Sequence, residues 1–323
     1  MTMIGRTLTS TSALRGPDAA LCELGAALRD AGYHFTTVTP ATHERVNRRP
    51  DNAWATDLRG VFGWSRPFTD DVLPRQIITL ADAAGVRERH GAGWRSLVRF
   101  SSYDGELFVH SAFPTDAADA VFLGPDTYRM ADAAVAHLGA RSGPVRRAVD
   151  VGCGTGAGAV AIAKRLPGAD VVAVDINPTA LRYARVNAAL AGTDGVRVCH
   201  SDLLDDVEGE IDLIISNPPF MIDPTGRGYR HGGPSGHELP MAVLDAALAR
   251  LAPGGSLVLF AGTGVVDGRD LLREAAAARL DGTDLVWSYR EVDPDVYSEE
   301  LDGPAYAHAE RIAVAVLTAT RAC

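Results

Sequence analysis

From residue 146 onward, short apolar runs alternate with stretches in which apolar side chains return every three or four positions. The short runs predict strands near 147–151, 171–175, 196–199, 211–216, 256–261, 285–291 and 311–319, since a strand buried on both faces shows no polar alternation. The periodic stretches between them predict helices near 158–166, 178–190, 238–251 and 268–279. Strand followed by helix, repeated, implies a mostly parallel sheet with helices on both faces, so the expected fold class is α/β. The connection 292–310 breaks the rhythm. It is acidic, carries Tyr and Pro, and reads as a loop or lid.

The first half of the chain is patterned differently. Residues 1–15 are rich in Ser and Thr and read as flexible. Leu21, Leu24 and Leu28 share one face of a predicted helix over 18–31. Residues 52–92 predict further short helices, interrupted at Pro67 and Pro74. Two apolar runs flank Tyr103-Asp104-Gly105, which predicts a β-hairpin. A helix follows over 125–138 with Pro125 in its first turn, and then a linker at 141–144. The expected division is a mainly helical unit with a β-hairpin over 1–120, serving substrate recognition, and a sheet-containing cofactor unit over 121–323.

Composition narrows the class. The chain has 323 residues, of which 46% are hydrophobic, enough for a sizeable core and too many for a disordered tail. No apolar run is long enough for a transmembrane helix, and the N-terminus lacks the pattern of a signal peptide. Cys22, Cys153, Cys199 and Cys323 form no CxxC pair, so no metal site is expected and reduced thiols in the cytoplasm are. Net charge is −10, with −1 over residues 1–145 and −9 over 146–323. That balance disfavours a long nucleic-acid surface. A small molecule or a peptide is the expected partner, with no membrane.

Four segments carry chemistry. Over 148–163, a predicted strand ends at Asp150-Val151 and Gly152, Gly154 and Gly156 follow before a helix, with Cys153 inside the turn. Glycines there let backbone approach a ligand closely. A second strand ends at Asp175, nineteen residues after Gly156, where a carboxylate accepts both hydroxyls of a ribose. Nicotinamide and S-adenosylmethionine sites share this device, so it does not separate them. Asp202, in Ser201-Asp202-Leu203-Leu204, can accept from an adenine amino group. Last, the strand 211–216 delivers Asn217-Pro218-Pro219-Phe220 to its carboxyl end, where α/β sheets bind ligands. The prolines stiffen the turn and free a carbonyl, the Asn amide donates and accepts, and Phe220 offers a ring face; together they suit a planar NH group.

In this order and spacing the four segments, over about 120–320, resemble class I S-adenosylmethionine-dependent methyltransferases. Within them the chain is similar to the small-domain type, which includes the HemK release-factor glutamine methyltransferases and bacterial ribosomal-RNA guanine methyltransferases. The segment FLGPDTYRMADAA, 122–134, also resembles the stretch preceding the cofactor domain of the glutamine enzymes. The resemblance implies a Rossmann-like seven-stranded methyltransferase sheet whose last strand is antiparallel. It implies that Asp150, Gly152, Cys153, Gly154 and Gly156 hold the methionine part of S-adenosylmethionine. Asp175 would bind its ribose, Asp202 and Leu203 its adenine, Ile176 would also contact the cofactor, and Thr127 and Tyr128 would close over it. Asn217 and the Pro218 carbonyl would grip the substrate nitrogen beside Phe220, which stands where the glutamine enzymes usually show Tyr.

The Gly-rich segment 223–238 after the motif is expected to be a mobile substrate loop presenting Tyr229, Arg230 and His231, with His231 a candidate base. The expected activity is methyl transfer to a nitrogen of a small metabolite or a peptide amide. The alternatives are a nucleobase of RNA, a protein that uses S-adenosylmethionine without transferring methyl, and a nicotinamide oxidoreductase.

Overall fold

A computed structural model describes residues 14–322; the stretch expected to be flexible, 1–15, lies almost wholly outside the described residues. The first unit contains α1 (Pro17–Asp30), α2 (Pro40–Asn47), α3 (Leu58–Phe62) and α4 (Arg75–Ala83). Two hairpins follow: β1 (Arg87–His90) with β2 (Gly93–Ser96), and β3 (Val98–Tyr103) with β4 (Glu106–Ser111). The second is the predicted one, turning at Asp104-Gly105. The first was hidden in a stretch read as short helices. Its strands are four residues long and polar, and its seat is tertiary: Trp94 exchanges two backbone hydrogen bonds with Phe68, and the Arg87 and Arg89 guanidinium groups both lie against its ring.

The second unit starts with α5 (Pro125–Ala140) and runs β5 (Arg147–Val151), α6 (Ala157–Arg165), β6 (Asp170–Asp175), α7 (Pro178–Leu190), β7 (Arg197–His200), β8 (Ile211–Ser216), α8 (Glu238–Leu248), β9 (Leu251–Val266), β10 (Arg269–Asp270), α9 (Leu271–Leu280), β11 (Leu285–Asp293) and β12 (Arg311–Arg321). The main sheet has seven strands in the order β11-β12-β9-β8-β5-β6-β7, with β10 hydrogen-bonded to β9 beside it. The strands from β9 to β7 are mutually parallel, and β12 runs antiparallel to both of its neighbours.

Strand and helix identities agree with the apolar pattern, but the boundaries around β9 move. The helix expected to reach 251 ends at Leu248, and β9 begins at Leu251 rather than 256. Pro253-Gly254-Gly255 reads as a turn. The strand bulges past it, and a Cβ on Gly255 would lie 2.7 Å from the Ile211 carbonyl oxygen. Residues 269–270, expected at a helix start, instead pair with β9.

One helix joins the units. Leu181, Ala184 and Ala188 of α7 pack into the core of the sheet, while Ala180, Tyr183, Val186 and Leu190 pack into the core of the first unit. At the seam Asn187 is fully buried. Its amide donates to the Val109 and Thr155 carbonyls and accepts from the Val109 N–H. The second hairpin is thereby tied to the glycine turn after β5.

Candidate active site

The parallel strands β5, β6 and β8 end at one rim, and the residues just past them line a cavity of about 500 Å³. After β5, the Cys153 N–H donates to the Val174 carbonyl and the Gly156 N–H to the Cys153 carbonyl, which folds the turn. Gly152 and Gly154 have φ of +67° and +52°; a Cβ on Gly152 would meet nothing within 4 Å, and one on Gly154 only Val121 at 3.9 Å. The left-handed backbone excludes a side chain here, and the open space beside it is the cavity.

Asp175, at the end of β6, accepts from the Gly154 N–H at 2.9 Å through Oδ2 and from the Asn177 N–H at 2.8 Å through Oδ1. Each oxygen keeps further acceptor capacity. Burial, opposed by these hydrogen bonds, raises its pKa. Ile176 is 62% exposed and lines the cavity. Asp202 and Leu203 stand at the same end, with Leu203 held at φ +50°.

At the other end, β8 is tied to β5 by the Ser216 hydroxyl, which donates to the Val151 carbonyl. Asn217 follows, and its Oδ1 is buried without a hydrogen-bond partner. Phe220 rests on β9; a Cβ on Gly262 would come within 2.5 Å of its ring.

Of the residues singled out from sequence, Thr127, Gly152, Cys153, Gly154, Asp175, Ile176, Asp202, Leu203, Asn217, Pro218, Phe220, Tyr229 and Arg230 border this one cavity. Four do not. Gly156 packs against Ala184 as the N-cap of α6. The Tyr128 hydroxyl accepts from the Thr37 N–H, and its ring stacks on Tyr103, so it joins α5 to the first unit. His231 turns its Nδ1 to the Asp223 N–H. The segment expected to be mobile is pinned here by bonds from Met221 N–H to the Arg230 carbonyl and from Gly232 N–H to the Met221 carbonyl.

Asp150 is the fourth. It is buried behind the glycine turn, accepting from the Ala159 N–H through Oδ2, with Oδ1 unpartnered. Burial, with Asp175 adding to it against the Ala159 bond, pushes its carboxyl up to about 7. The unfolded chain ionises it near pH 4, so native stability is lost as pH rises from there toward 7 and the deficit stays constant above. Asp150→Asn is therefore expected to raise the melting temperature at pH 8 and to change it little at pH 4. Thermal melts at the two pH values check this, and equal shifts would count against it.

Sequence reasoning missed Asp126 and Met130 of α5, and for Tyr297, within the 292–310 connection, it weighed a place in the cleft against a solvated loop position and favoured the second. Tyr297 instead lines the cavity and donates its hydroxyl to Asp126. The two are 171 positions apart, so no local pattern could have joined them.

A glycine-turned β5, an acid at the end of β6 and a seven-stranded sheet with an antiparallel β12 are the architecture of the class I, Rossmann-like methyltransferases. Residues 131–275 match the family model described as the methyltransferase small domain. The chain is 34% identical over 197 residues to the release factor glutamine methyltransferase of Deinococcus radiodurans, covering 58% of this chain and 66% of that protein. With the enzyme of that name from Mycolicibacterium smegmatis it is 35% identical, over 41% of this chain and 50% of the other. A shorter match, 43% identical over 74 residues, is to the ribosomal RNA small subunit methyltransferase C of Haemophilus influenzae, covering 23% of this chain and 22% of that one. The chain thus spans half to two thirds of the release-factor relatives. Among solved structures, Methanocaldococcus jannaschii Trm5 in complex with adenosine is similar at 18% identity and TM-score 0.49, over 74% of this chain and 61% of that one.

S-adenosylmethionine is the cofactor of this class, and the residues present suit it. The side-chain-free backbone at Gly152 and Gly154, the Asp175 carboxylate and the exposed Ile176 are what an amino acid tail, a ribose diol and a flat base require. Among the described residues no group of three or more His, Cys, Asp or Glu could hold a metal, and no helix is long and apolar enough to cross a membrane.

Proposed function

We propose that this chain is an S-adenosylmethionine-dependent N-methyltransferase acting on a nitrogen of a peptide amide or a small peptide-like metabolite. The observation that carries the reading is Asn217. Its buried amide oxygen has no partner, which is costly in the free protein, and the residue borders the cavity beside the rigid Pro218-Pro219 turn. An acceptor N–H would satisfy it, with the Pro218 carbonyl as a second acceptor.

S-adenosylmethionine supplies an activated methyl group, so the chain has mainly to align the acceptor and exclude water. Asn217 and Pro218 orient the nitrogen lone pair. Phe220 covers one side of it, and Asp175 with the glycine turn hold the nucleoside end.

A peptide-like acceptor is supported by a second cavity of about 420 Å³ that shares Pro40, Tyr229 and Arg230 with the first. Its wall carries four arginines (Arg45, Arg48, Arg227, Arg230) against four carboxylates (Glu44, Asp116, Glu299, Glu300). A surface built for a phosphate backbone would be one-sided. In this reading residues 1–120 recognise the acceptor, and the protein works in the cytoplasm, where its thiols stay reduced.

The test is incubation with methyl-labelled S-adenosylmethionine and a size-fractionated cell extract. Label in peptides, proteins or small molecules is expected. Label in RNA would move the acceptor to a nucleobase. Cofactor binding with no label in any fraction would point to chemistry other than methyl transfer, and binding of a nicotinamide nucleotide in place of S-adenosylmethionine would overturn the reading.

A further inference from the structure

Nitrogen methylation releases a proton, and on the reading above something must receive it. His231, the base expected from sequence, is outside the cavity wall. The side chains that line the cavity include four carboxylates, Asp119, Asp126, Asp175 and Asp202. Three belong to the nucleoside end: Asp175 bonds the glycine turn, Asp119 accepts from the Thr179 hydroxyl at the start of α7, and Asp202 follows β7. Asp126 does not. Its Oδ2 accepts from the Tyr297 hydroxyl, and the Tyr297 ring centroid is 6.3 Å from that of Phe220. The Arg230 guanidinium is 5.7 Å from the same ring. These contacts put Asp126 on the acceptor wall, beside the motif that would grip the nitrogen.

The arrangement is built rather than incidental. Tyr297 holds φ +54°, a left-handed backbone that a bulky residue rarely adopts, at the start of the turn that carries it to Asp126. Arg230 is fixed by Glu300 at 2.5 Å. Arg129 lies 3.6 Å from Asp126 and is held on its other side by Asp293 at 2.7 Å.

We propose that Asp126 is the catalytic base that takes the proton from the methylated nitrogen. The acceptor lone pair forms the new N–C bond while the S–C bond breaks and its electron pair stays on sulfur. The nitrogen is left with one hydrogen too many, and that proton passes to Asp126, which leaves a neutral methylated product and a carboxylic acid. Bulk water then removes the proton as product departs. Burial raises the pKa of Asp126; the Tyr297 hydrogen bond and the charges of Arg129 and Arg230 oppose the rise, and Asp293 adds to it. A carboxylate raised by burial is a better base than an exposed one.

The test uses the whole protein and two ligands that differ at the point of transfer. S-adenosylhomocysteine has nothing in place of the methyl group, whereas sinefungin has an amino group there. Asp126→Asn, which keeps the shape, is expected to reduce the preference for sinefungin about tenfold near neutral pH, with S-adenosylhomocysteine affinity changed by no more than about twofold. In the wild type that preference falls as pH drops and the carboxylate is protonated. Tyr297→Phe removes a bond that favours the carboxylate, so the fall is expected to move to higher pH. Equal weakening of both ligands would assign Asp126 to the amino acid tail they share and overturn the proposal. So would an unchanged preference. Failure of the wild type to bind either ligand would instead remove the methyltransferase reading, and the proposal with it.

Discussion

Asn217→Ala is expected to lower turnover by about a hundredfold or more while S-adenosylhomocysteine affinity changes by no more than about threefold. The substitution removes the amide that would hold the acceptor nitrogen in line, an alignment that matters to the reaction and little to cofactor binding. A second consequence has an unusual sign. The buried Oδ1 of Asn217 has no partner in the free protein, and an unsatisfied buried polar atom costs about 1–3 kcal/mol. Truncation removes that cost, so the melting temperature of the unliganded variant is expected to hold or rise although activity collapses. Single-turnover transfer, ligand titration and a thermal melt on one preparation read all three. Wild-type turnover in the variant would remove the proposed role.

Asp175→Ala is expected to weaken S-adenosylmethionine binding by about 10²–10⁴-fold, the loss of two charge-assisted hydrogen bonds to a ribose diol at about 1.5–3 kcal/mol each. Here stability should fall too. The carboxylate accepts from the N–H groups of Gly154 and Asn177, so alanine leaves both without their acceptor and loosens the turn that borders the cavity. Asp175→Asn keeps one acceptor oxygen and should recover much of the stability and less of the affinity. Calorimetric titration of the three proteins separates the two effects. Loss of stability with affinity intact would make Asp175 a structural clasp only.

The elements most readable in the sequence were those whose cause is local. β5, β6 and β8 are runs of Val, Ile, Leu and Ala ended by a glycine turn, an Asp or an Asn-Pro-Pro turn, and strand, turn and ligand-facing rim follow from those residues alone. The β1–β2 hairpin was not readable, because its polar residues are strand only through Phe68, which pairs with Trp94 across twenty-five residues of intervening chain. The start of β9 was hidden behind a Pro-Gly-Gly bulge that only the neighbouring Ile211 makes intelligible. Tyr128 was placed at the cofactor by the family resemblance, but at the start of α5 its side chain turns to the first unit instead. His231 was named as a base by its type; the backbone N–H of Asp223 claims its Nδ1.

What the residues determined by themselves is the sheet and its cofactor rim. Apolar period decides which segments bury, and glycine, proline and acid at strand ends decide how each segment stops, and both act over a few neighbouring positions. What only the tertiary structure decided is which side chains meet at the far end of the cavity, where Phe220 and Arg230, named from sequence, are joined by Asp126 and Tyr297. Asp126, Phe220, Arg230 and Tyr297 come from four segments with no shared periodicity, and they meet because β11 and β12 bring the 292–310 connection back over the end of β8 while α7 holds the first unit against the sheet. Such contacts cost loop-closure entropy over long stretches of chain, and packing of the whole core offsets that cost.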